Sequence, residues 1–402
     1  MEIKGKYNTA KVFASVVDDE TVKQIKELCN QKFTKGLSIS IMADCHAGKG
    51  CVIGTTMNIK DCLVPNLVGV DIGCGMLCYN LGYDDVDLIK LDRFVRKKIP
   101  SGLGVQKVAI KTEVDLTKLY CYESLFNKSR IERSLGSLGG GNHFIEIDKS
   151  DDGKKYLVIH TGSRNLGKQV CEYYQDLALK EFDDKYKKNQ NALIKRYLKN
   201  NKKELLEEAL EKQKAKYQLQ NRELIPLYKE SFNHYLADMK IAQEFANENR
   251  RTLLKLILNF LNKEYNKDFE FQTIHNYIDI DSMILRKGAI EAINGVKVLI
   301  PINMRDGSII AVGKSNKDYN YSAPHGAGRL LSRIEAREKI NFDSFKEAME
   351  GIYSTSVCED TIDESPFAYK SIGDILPNIT DTVDVIDIIK PIYNFKACER
   401  RR

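Results

Sequence analysis

The sequence predicts an α+β fold, a single domain of mixed sheets and helices that carries a helical insertion at about 168–266. Three observations support this. Up to about residue 165, short apolar or alternating runs lie next to glycines, as at Ser38–Met42, Leu67–Val70 and Tyr156–His160, the pattern of strands joined by tight turns. From about 168 to 266 glycine and proline nearly vanish, Pro226 being the one proline, and Ser231–Asn249 places Phe232, Leu236, Met239, Ala242, Phe245 and Ala246 at helical spacing. Strand character then returns over Glu291–Lys314, punctuated by Gly295, Gly307 and Gly313. The remainder predicts one helix in the Ser332–Tyr353 region and a final strand over Asp384–Phe395. No internal repeat or low-complexity linker divides the chain, so one intertwined domain over 1–402 is expected rather than a string of domains.

The 402 residues are 43% hydrophobic and 29% charged, which permits a large core and argues against a disordered chain. The longest apolar stretch, Thr252–Leu261, is broken by Lys255 and falls short of the roughly 20 residues that span a bilayer. Met1-Glu2-Ile3-Lys4 opens no apolar leader, and the expectation is a cytoplasmic protein without membrane contact. The ten cysteines are read mostly as small buried hydrophobes rather than a disulfide framework. A net charge of +6 permits a nucleic-acid partner without requiring one, and the lysine-rich stretch Lys185–Lys216 reads as a solvated helical face.

The informative count is a low one, the six histidines. Five stand beside glycine, asparagine or a carboxylate: His46 in Asp44-Cys45-His46-Ala47-Gly48, His143 after Asn142, His160 in His160-Thr161-Gly162-Ser163-Arg164, His275 before Asn276, and His325 in His325-Gly326-Ala327-Gly328-Arg329. Only His234 falls inside a helical pattern, where it reads as a packed or surface side chain. Glycine beside histidine at strand ends allows the close backbone approach that a metal or bulky substrate needs. In the turn Val68–Met76, Asp71 and Cys74 are three residues apart and could face one cation, the thiolate being the ligand form. A turn-forming Asp and a buried Cys fit that segment equally well. With His143, His160 and His275 there are five N, O and S donors, enough for two metals sharing a bridging thiolate. Two metals about 3.5–4 Å apart orient and neutralise phosphoryl groups. Sulfur with imidazole suggests zinc first on softness alone, so the pattern does not identify the metal.

Gly139-Gly140-Gly141 feeds an alternating strand with Asn142, Phe144 and Glu146 on one face and His143, Ile145 and Ile147 on the other. The amide, ring and carboxylate of the first face suit a purine, and an ordinary amphipathic strand shows the same alternation. His160–Gly167 follows a strand and precedes a helix, where backbone N–H groups and Arg164 favour an anion. His325–Arg329 repeats that design with Arg333 one helical turn further on, and Arg286-Lys287 adds a basic pair. Each arginine taken alone also fits a solvated surface charge. Gly313-Lys314-Ser315 is not the end of a P-loop, because Ser308 stands where that motif needs glycine.

Together these blocks resemble the RtcB family of RNA-splicing ligases. The resemblance runs through Asp44–Gly50, Val68–Gly75, Leu138–Glu146, His160–Arg164, Tyr235–Met239, Ala246–Arg250, His275-Asn276, Arg286–Ala289, Ser322–Arg329 and Lys396, in the family's order. It implies an α+β domain built around a central metal cleft. It also implies a Mn²⁺- and GTP-dependent ligase that joins an RNA 3′-phosphate or 2′,3′-cyclic phosphate end to a 5′-hydroxyl end. Carried over by motif, Asp71, Cys74 and His143 would hold one Mn²⁺ and Cys74, His160 and His275 the other. His325 would be the nucleophile that takes GMP from GTP and passes it to the RNA 3′-phosphate, with Asp44 orienting it. The guanylate site would comprise Asn142, His143, Phe144, Ile145, Glu146, His275, Asn276, Pro301, Ile302, Asn303, Met304, Ser308, His325, Gly326, Ala327, Gly328 and Lys396. Arg164, Arg329 and Arg333 would bind RNA phosphates. The resemblance further suggests a monomer and leaves room for an activating partner protein.

The chain departs from the family pattern at Ile302, where many relatives have glycine, at Ser315, where glycine is expected after Lys314, and at Ala43, which replaces a proline. After Lys396 it adds Ala397-Cys398-Glu399-Arg400-Arg401-Arg402, an extension that bears on the position of Lys396. No metal ligand or nucleophile is lost. The competing reading is a metal-dependent RNA-end phosphodiesterase or phosphatase that uses the same two-metal site without nucleotide transfer. It leaves His325, Lys396 and the Asn142–Glu146 block without a role.

Overall fold

In the computed structural model, which describes residues 1–15 and 17–398, two large sheets face a common cleft. The seven-stranded sheet runs Glu270–Ile274, Gly75–Gly82, Lys155–Thr161, Phe144–Lys149, Val383–Lys396, Gly307–Gly313, Lys297–Asn303, antiparallel throughout. Its register places Met76 opposite His160, His160 opposite Phe144, and Phe144 opposite Lys396. Directly opposed residues share a face, so His160, Phe144 and Lys396 form one row across three strands. The other face carries Leu77, Ile145, Ile147, Leu157 and Ile159 against Leu91 and Val95 of the helix Leu88–Lys98 and against Leu253, Leu254 and Ile257 of the helix Lys229–Phe260.

The six-stranded sheet runs Glu2–Lys4, Thr9–Val12, Ile39–His46, Ile53–Asn58, Ile284–Lys287, Asn276–Asp279, with one parallel pair. It delivers Asp44 and His46 from one strand and His275 from the residue before another. A two-stranded ribbon pairs Ala289 with Pro324, immediately before His325.

Helices occupy Asn165–Lys199, Leu206–Gln218 and Lys229–Phe260. The insertion is not uniform. The third helix buries Phe232, Tyr235, Met239, Ala242, Phe245, Leu253 and Ile257, and the first buries Leu166, Val170, Cys171, Tyr174 and Ala178, so both belong to the main core. Beyond Ala178 the first helix has no fully buried residue, only Leu179 and Phe182 resting partly on the core, and the second has none, so the peripheral part is a pair of helical stretches closed by stacking of Tyr217 on Phe182 and Tyr186. Among the described helices none is long and apolar enough to cross a membrane.

Two expected elements differ. Leu67–Val70 ends a 3-10 turn, Pro65–Leu67, rather than forming a strand, because Pro65 starts the turn and Gly69 turns the chain at φ +91°. The Ser332–Tyr353 region holds two short helices, Arg333–Lys339 and Phe342–Ala348, the second restarted by Asn341, whose side chain caps the Asp343 and Ser344 N–H groups. Ser315 takes φ +57°, the conformation that explains the expected glycine, and its Oγ accepts the Asn294 N–H at 2.8 Å.

Candidate active site

The cleft between the sheets has a volume of about 290 Å³. At its base Cys74 Sγ lies 3.2 Å from both His143 Nε2 and His160 Nε2, and His143 Nε2 is 3.1 Å from Asp71 Oδ2. The donor atoms form two triads, Asp71–Cys74–His143 and Cys74–His160–His275, that share the sulfur. The local sequence allows this crowding. A Cβ on Gly139 would fall 1.7 Å from His143 Nδ1, and one on Gly162 would fall 2.5 Å from Asp71 Oδ1. Arg250, fully buried, donates from Nη1 to the Gly73 and Thr161 carbonyls and ties the Cys74 turn to the strand end beside His160. The Asn142 carbonyl accepts from His160 Nδ1 at 3.1 Å, which turns Nε2 toward the sulfur.

The electrostatics of this cluster fit a cation. Burial, helped by neighbouring imidazoles, pushes His160 and His275 well down, so both are neutral, the ligand form. Burial opposes ionisation of Asp71, yet the His143 ring outweighs it and holds the carboxyl at about 2. Burial and the Asp71 charge push the Cys74 thiol far up, so a thiolate here needs positive charge beside it. His143 Nδ1 and His275 Nδ1 are buried with no hydrogen-bond partner among the described residues.

His325 stands next to this cluster, its ring 4.9 Å from that of His275. Fully buried Asp44 holds it: Oδ2 accepts from His325 Nδ1 at 2.7 Å, from the His325 N–H at 3.0 Å and from the Gly326 N–H at 3.2 Å. With the proton fixed on Nδ1, Nε2 keeps its lone pair, the state a nucleophilic imidazole requires.

Beyond Phe144 in the same row the cleft holds a charge cluster. Buried Glu364 accepts from Lys396 Nζ at 3.1 Å and pairs with Arg333 at 2.7 Å and Arg329 at 3.4 Å, and Tyr369 donates its hydroxyl to it at 2.8 Å. Burial alone would raise this carboxyl, but Lys396, Arg333 and Arg329 outweigh it and hold it at about 2. Glu146, whose burial pushes its carboxyl up to about 7 despite nearby Lys396, accepts from Asn394. Phe144 lies beneath Lys396, 5.3 Å from Nζ to the ring centre.

Over residues 24–124 and 120–397 the chain matches the family model for the tRNA-splicing ligase RtcB. The chain belongs to the RtcB family. It is 28% identical over 395 residues to the RNA-splicing ligase RtcB of Escherichia coli K12, covering 89% of this chain and 90% of the relative. It is 27% identical over 395 residues to RNA-splicing ligase RtcB1 of Escherichia coli ATCC 25922, with the same coverage. To the tRNA-splicing ligase RtcB of Thermococcus kodakarensis it is 26% identical over 469 residues, covering 94% of this chain and 90% of the relative.

In this RtcB-family member most residues singled out from the sequence meet in the cleft: Asn142, Phe144, Glu146, Asn276, Pro301, Ile302, Asn303, Met304, Gly326, Ala327 and Gly328 line it with His275, His325 and Lys396. Ile302, in place of glycine, is buried there. Two do not line it. Ile145 turns its side chain into the core behind the sheet, as strand alternation beside Phe144 demands. Ser308 is buried one residue past Gly307, and it is Gly307 that reaches the cleft.

The arginines divide. Arg329 and Arg333 line the cleft but are already paired with Glu364, and Arg333 is the more open. Arg329 does not open a helix, so the design at His160–Gly167 is not repeated at His325. Arg164 lies behind His143, donating to Ser137 Oγ and the Gly102 carbonyl. The Arg286-Lys287 pair is buried and structural: Lys287 Nζ donates to the Asn66 carbonyl and Arg286 to Ser322 Oγ. His234 stacks on Tyr120, away from the cluster. Lys396 stays in the cleft at the end of its strand, whereas Glu399–Arg402 lie outside the described residues. The sequence reading missed Glu364 and Tyr369, whereas His46, one of the five flanked histidines, does line the cleft. Glu364 and Tyr369 stand in no motif, and His46 had only its glycine-rich block as a signal.

Proposed function

We propose that the chain is a GTP- and Mn²⁺-dependent RNA ligase that joins 3′-phosphate or 2′,3′-cyclic phosphate ends to 5′-hydroxyl ends in tRNA splicing or RNA repair. The observation that carries the reading is the Asp44–His325 pair, with Nδ1 committed to a carboxylate 2.7 Å away beside the two triads. His325 Nε2 attacks the α-phosphorus of GTP and pyrophosphate leaves, giving guanylyl-His325. The GMP passes to the RNA 3′-phosphate, and the 5′-hydroxyl then displaces it. A phosphate monoester is a poor electrophile until it carries such a leaving group. Asp44 stabilises the imidazolium character that develops on His325. Mn²⁺ at the triads of Asp71, Cys74, His143, His160 and His275 would supply positive charge to phosphate oxygens. Phe144, Glu146 and Lys396 suit the guanine, one ring and two hydrogen-bonding charges, and Arg333 and Arg329 suit RNA phosphates at the rim.

The test is labelled GTP with a panel of divalent metals, on the unaltered chain and His325→Ala. The expected result is an acid-labile GMP adduct with Mn²⁺, absent from the variant. No adduct on the unaltered chain, with RNA ends hydrolysed in the absence of GTP, overturns the reading in favour of a two-metal phosphodiesterase.

A further inference from the structure

Of the ten cysteines three are not fully buried, and two of these touch: Cys358 Sγ and Cys398 Sγ are 3.0 Å apart. Neither belongs to the metal cluster. Cys358 immediately precedes the 3-10 helix Glu359–Glu364, whose last residue accepts from Lys396 Nζ. Cys398 follows Lys396 by two residues. Between them Ser356 Oγ donates to the Lys396 carbonyl at 2.9 Å and accepts the Lys396 N–H at 3.0 Å, while Thr361 donates to the Ser356 carbonyl. The two sulfurs therefore bracket the Glu364–Lys396 pair, one on each of the two segments that carry it.

We infer that Cys358 and Cys398 are a reversible oxidation site, closing to a disulfide that staples the C-terminal strand to the Glu359–Glu364 helix at the floor of the cleft. The oxidant class is a hydroperoxide. An S–S bond forms as the O–O bond breaks, each sulfur gives up one electron, and the two thiol protons leave on the peroxide oxygens as an alcohol and water, or as two waters. The sulfurs need to close by only about 1 Å to reach bonding distance, so strand and helix keep their positions. Burial, with the Cys358 thiol beside it, pushes the Cys398 thiol up. One consequence rests on the function proposed above: with Glu364 and Lys396 held to each other, the guanine side of the cleft loses freedom, and guanosine binding becomes sensitive to oxidation.

The experiment equilibrates the full chain across reduced and oxidised glutathione, then maps peptides without reduction. The expected result is a Cys358–Cys398 linked peptide, two hydrogens lighter than its parts, that forms in the unaltered chain and disappears with dithiothreitol. Oxidised protein melts several degrees higher, and Cys358→Ser and Cys398→Ser each abolish both the link and the shift. Failure of that peptide to form while other thiols oxidise overturns the site. A linked peptide with unchanged guanosine affinity retains the modification site and overturns only its coupling to the cleft. Absence of guanosine binding in both redox states overturns the function proposed above and leaves the disulfide standing.

Discussion

At one end of the cleft Cys74, Asp71, His143, His160 and His275 crowd their donor atoms together. At the other end Glu364 meets Lys396, Arg329 and Arg333 and is compensated within the chain. Both ends are buried, yet their charge problems are opposite. The first gathers lone-pair donors, neutral imidazoles and a buried thiol among them, so its geometry serves binding. The second is closed on itself, so its geometry serves the fold as well as any ligand. Substitutions should separate the two: changes at the triads are felt as lost metal, and changes around Glu364 as lost stability.

The largest effect is expected at Cys74, the one atom common to both triads. Cys74→Ala removes a donor from each, and equilibrium dialysis with Mn²⁺ should show both sites lost, with adduct formation down by roughly 10⁴-fold or more, since a metal site deprived of its shared ligand cannot position either ion. Thermal stability without metal should change little, because the small buried thiol is replaced by a small apolar side chain. A variant that binds two ions normally would break the comparison at its first end.

Glu364→Gln tests the other end. Removing one member of a buried ionic network leaves the rest uncompensated, and the expected loss is about 3 kcal/mol of stability in denaturant unfolding. Acid titration gives the same answer by another route. The fold lowers this carboxyl from 4.5 to about 2, so its stabilisation is complete above about pH 4.5 and is lost as pH falls through 2. The unaltered chain should lose stability over that window more steeply than Glu364→Gln, and equal slopes would show that the cluster does not compensate itself.

The two ends also differ in how much of them could be read from the sequence. Every triad member except His275 stands in a block with glycine, because donor atoms about 3 Å apart force backbone into contact and only glycine tolerates it, as at Gly139 and Gly162. The strand alternation that sets Phe144 and Glu146 against Ile145 was equally legible, although it also excluded Ile145 from the cleft. Glu364 and Tyr369 left no trace, since an ion-pair network needs complementary charges at a fold-dependent separation and imposes no local spacing. The broad α+β pattern and the helical stretch were visible for the same local reasons. The division of that stretch into core helices and a peripheral pair depended on what they pack against, which periodicity does not report.

A smaller effect sharpens the first end. Gly162→Ala would bring a methyl within 2.5 Å of Asp71 Oδ1 and push that carboxylate off His143 without substituting any of the five donor residues. Mn²⁺ affinity should fall by about 10–100-fold, the usual cost of disturbing the groups that orient a ligand. The ion in the Cys74–His160–His275 triad should be retained more firmly than the one Asp71 faces. Equal weakening of both would mean that the shared sulfur, rather than Asp71, sets the geometry.

Glu146 lies between the two regimes, close to Lys396 but held near 7 because burial outweighs the ammonium charge. Its two consequences have opposite signs. Relative to an unfolded value of 4.5, the raised carboxyl disfavours the empty fold progressively as pH rises from about 4.5 to 7. In the function proposed above, recognition of guanine N–H donors would use the ionised form, which grows from about a tenth to about nine-tenths of the protein between pH 6 and 8. Guanosine, which carries no phosphate to titrate, should therefore bind about tenfold more tightly at pH 8 than at pH 6, and Glu146→Gln should flatten that dependence. If the unaltered chain binds guanosine equally at both pH values, Lys396 has already drawn off the proton, and Glu146 then belongs with Glu364 among the groups the fold compensates.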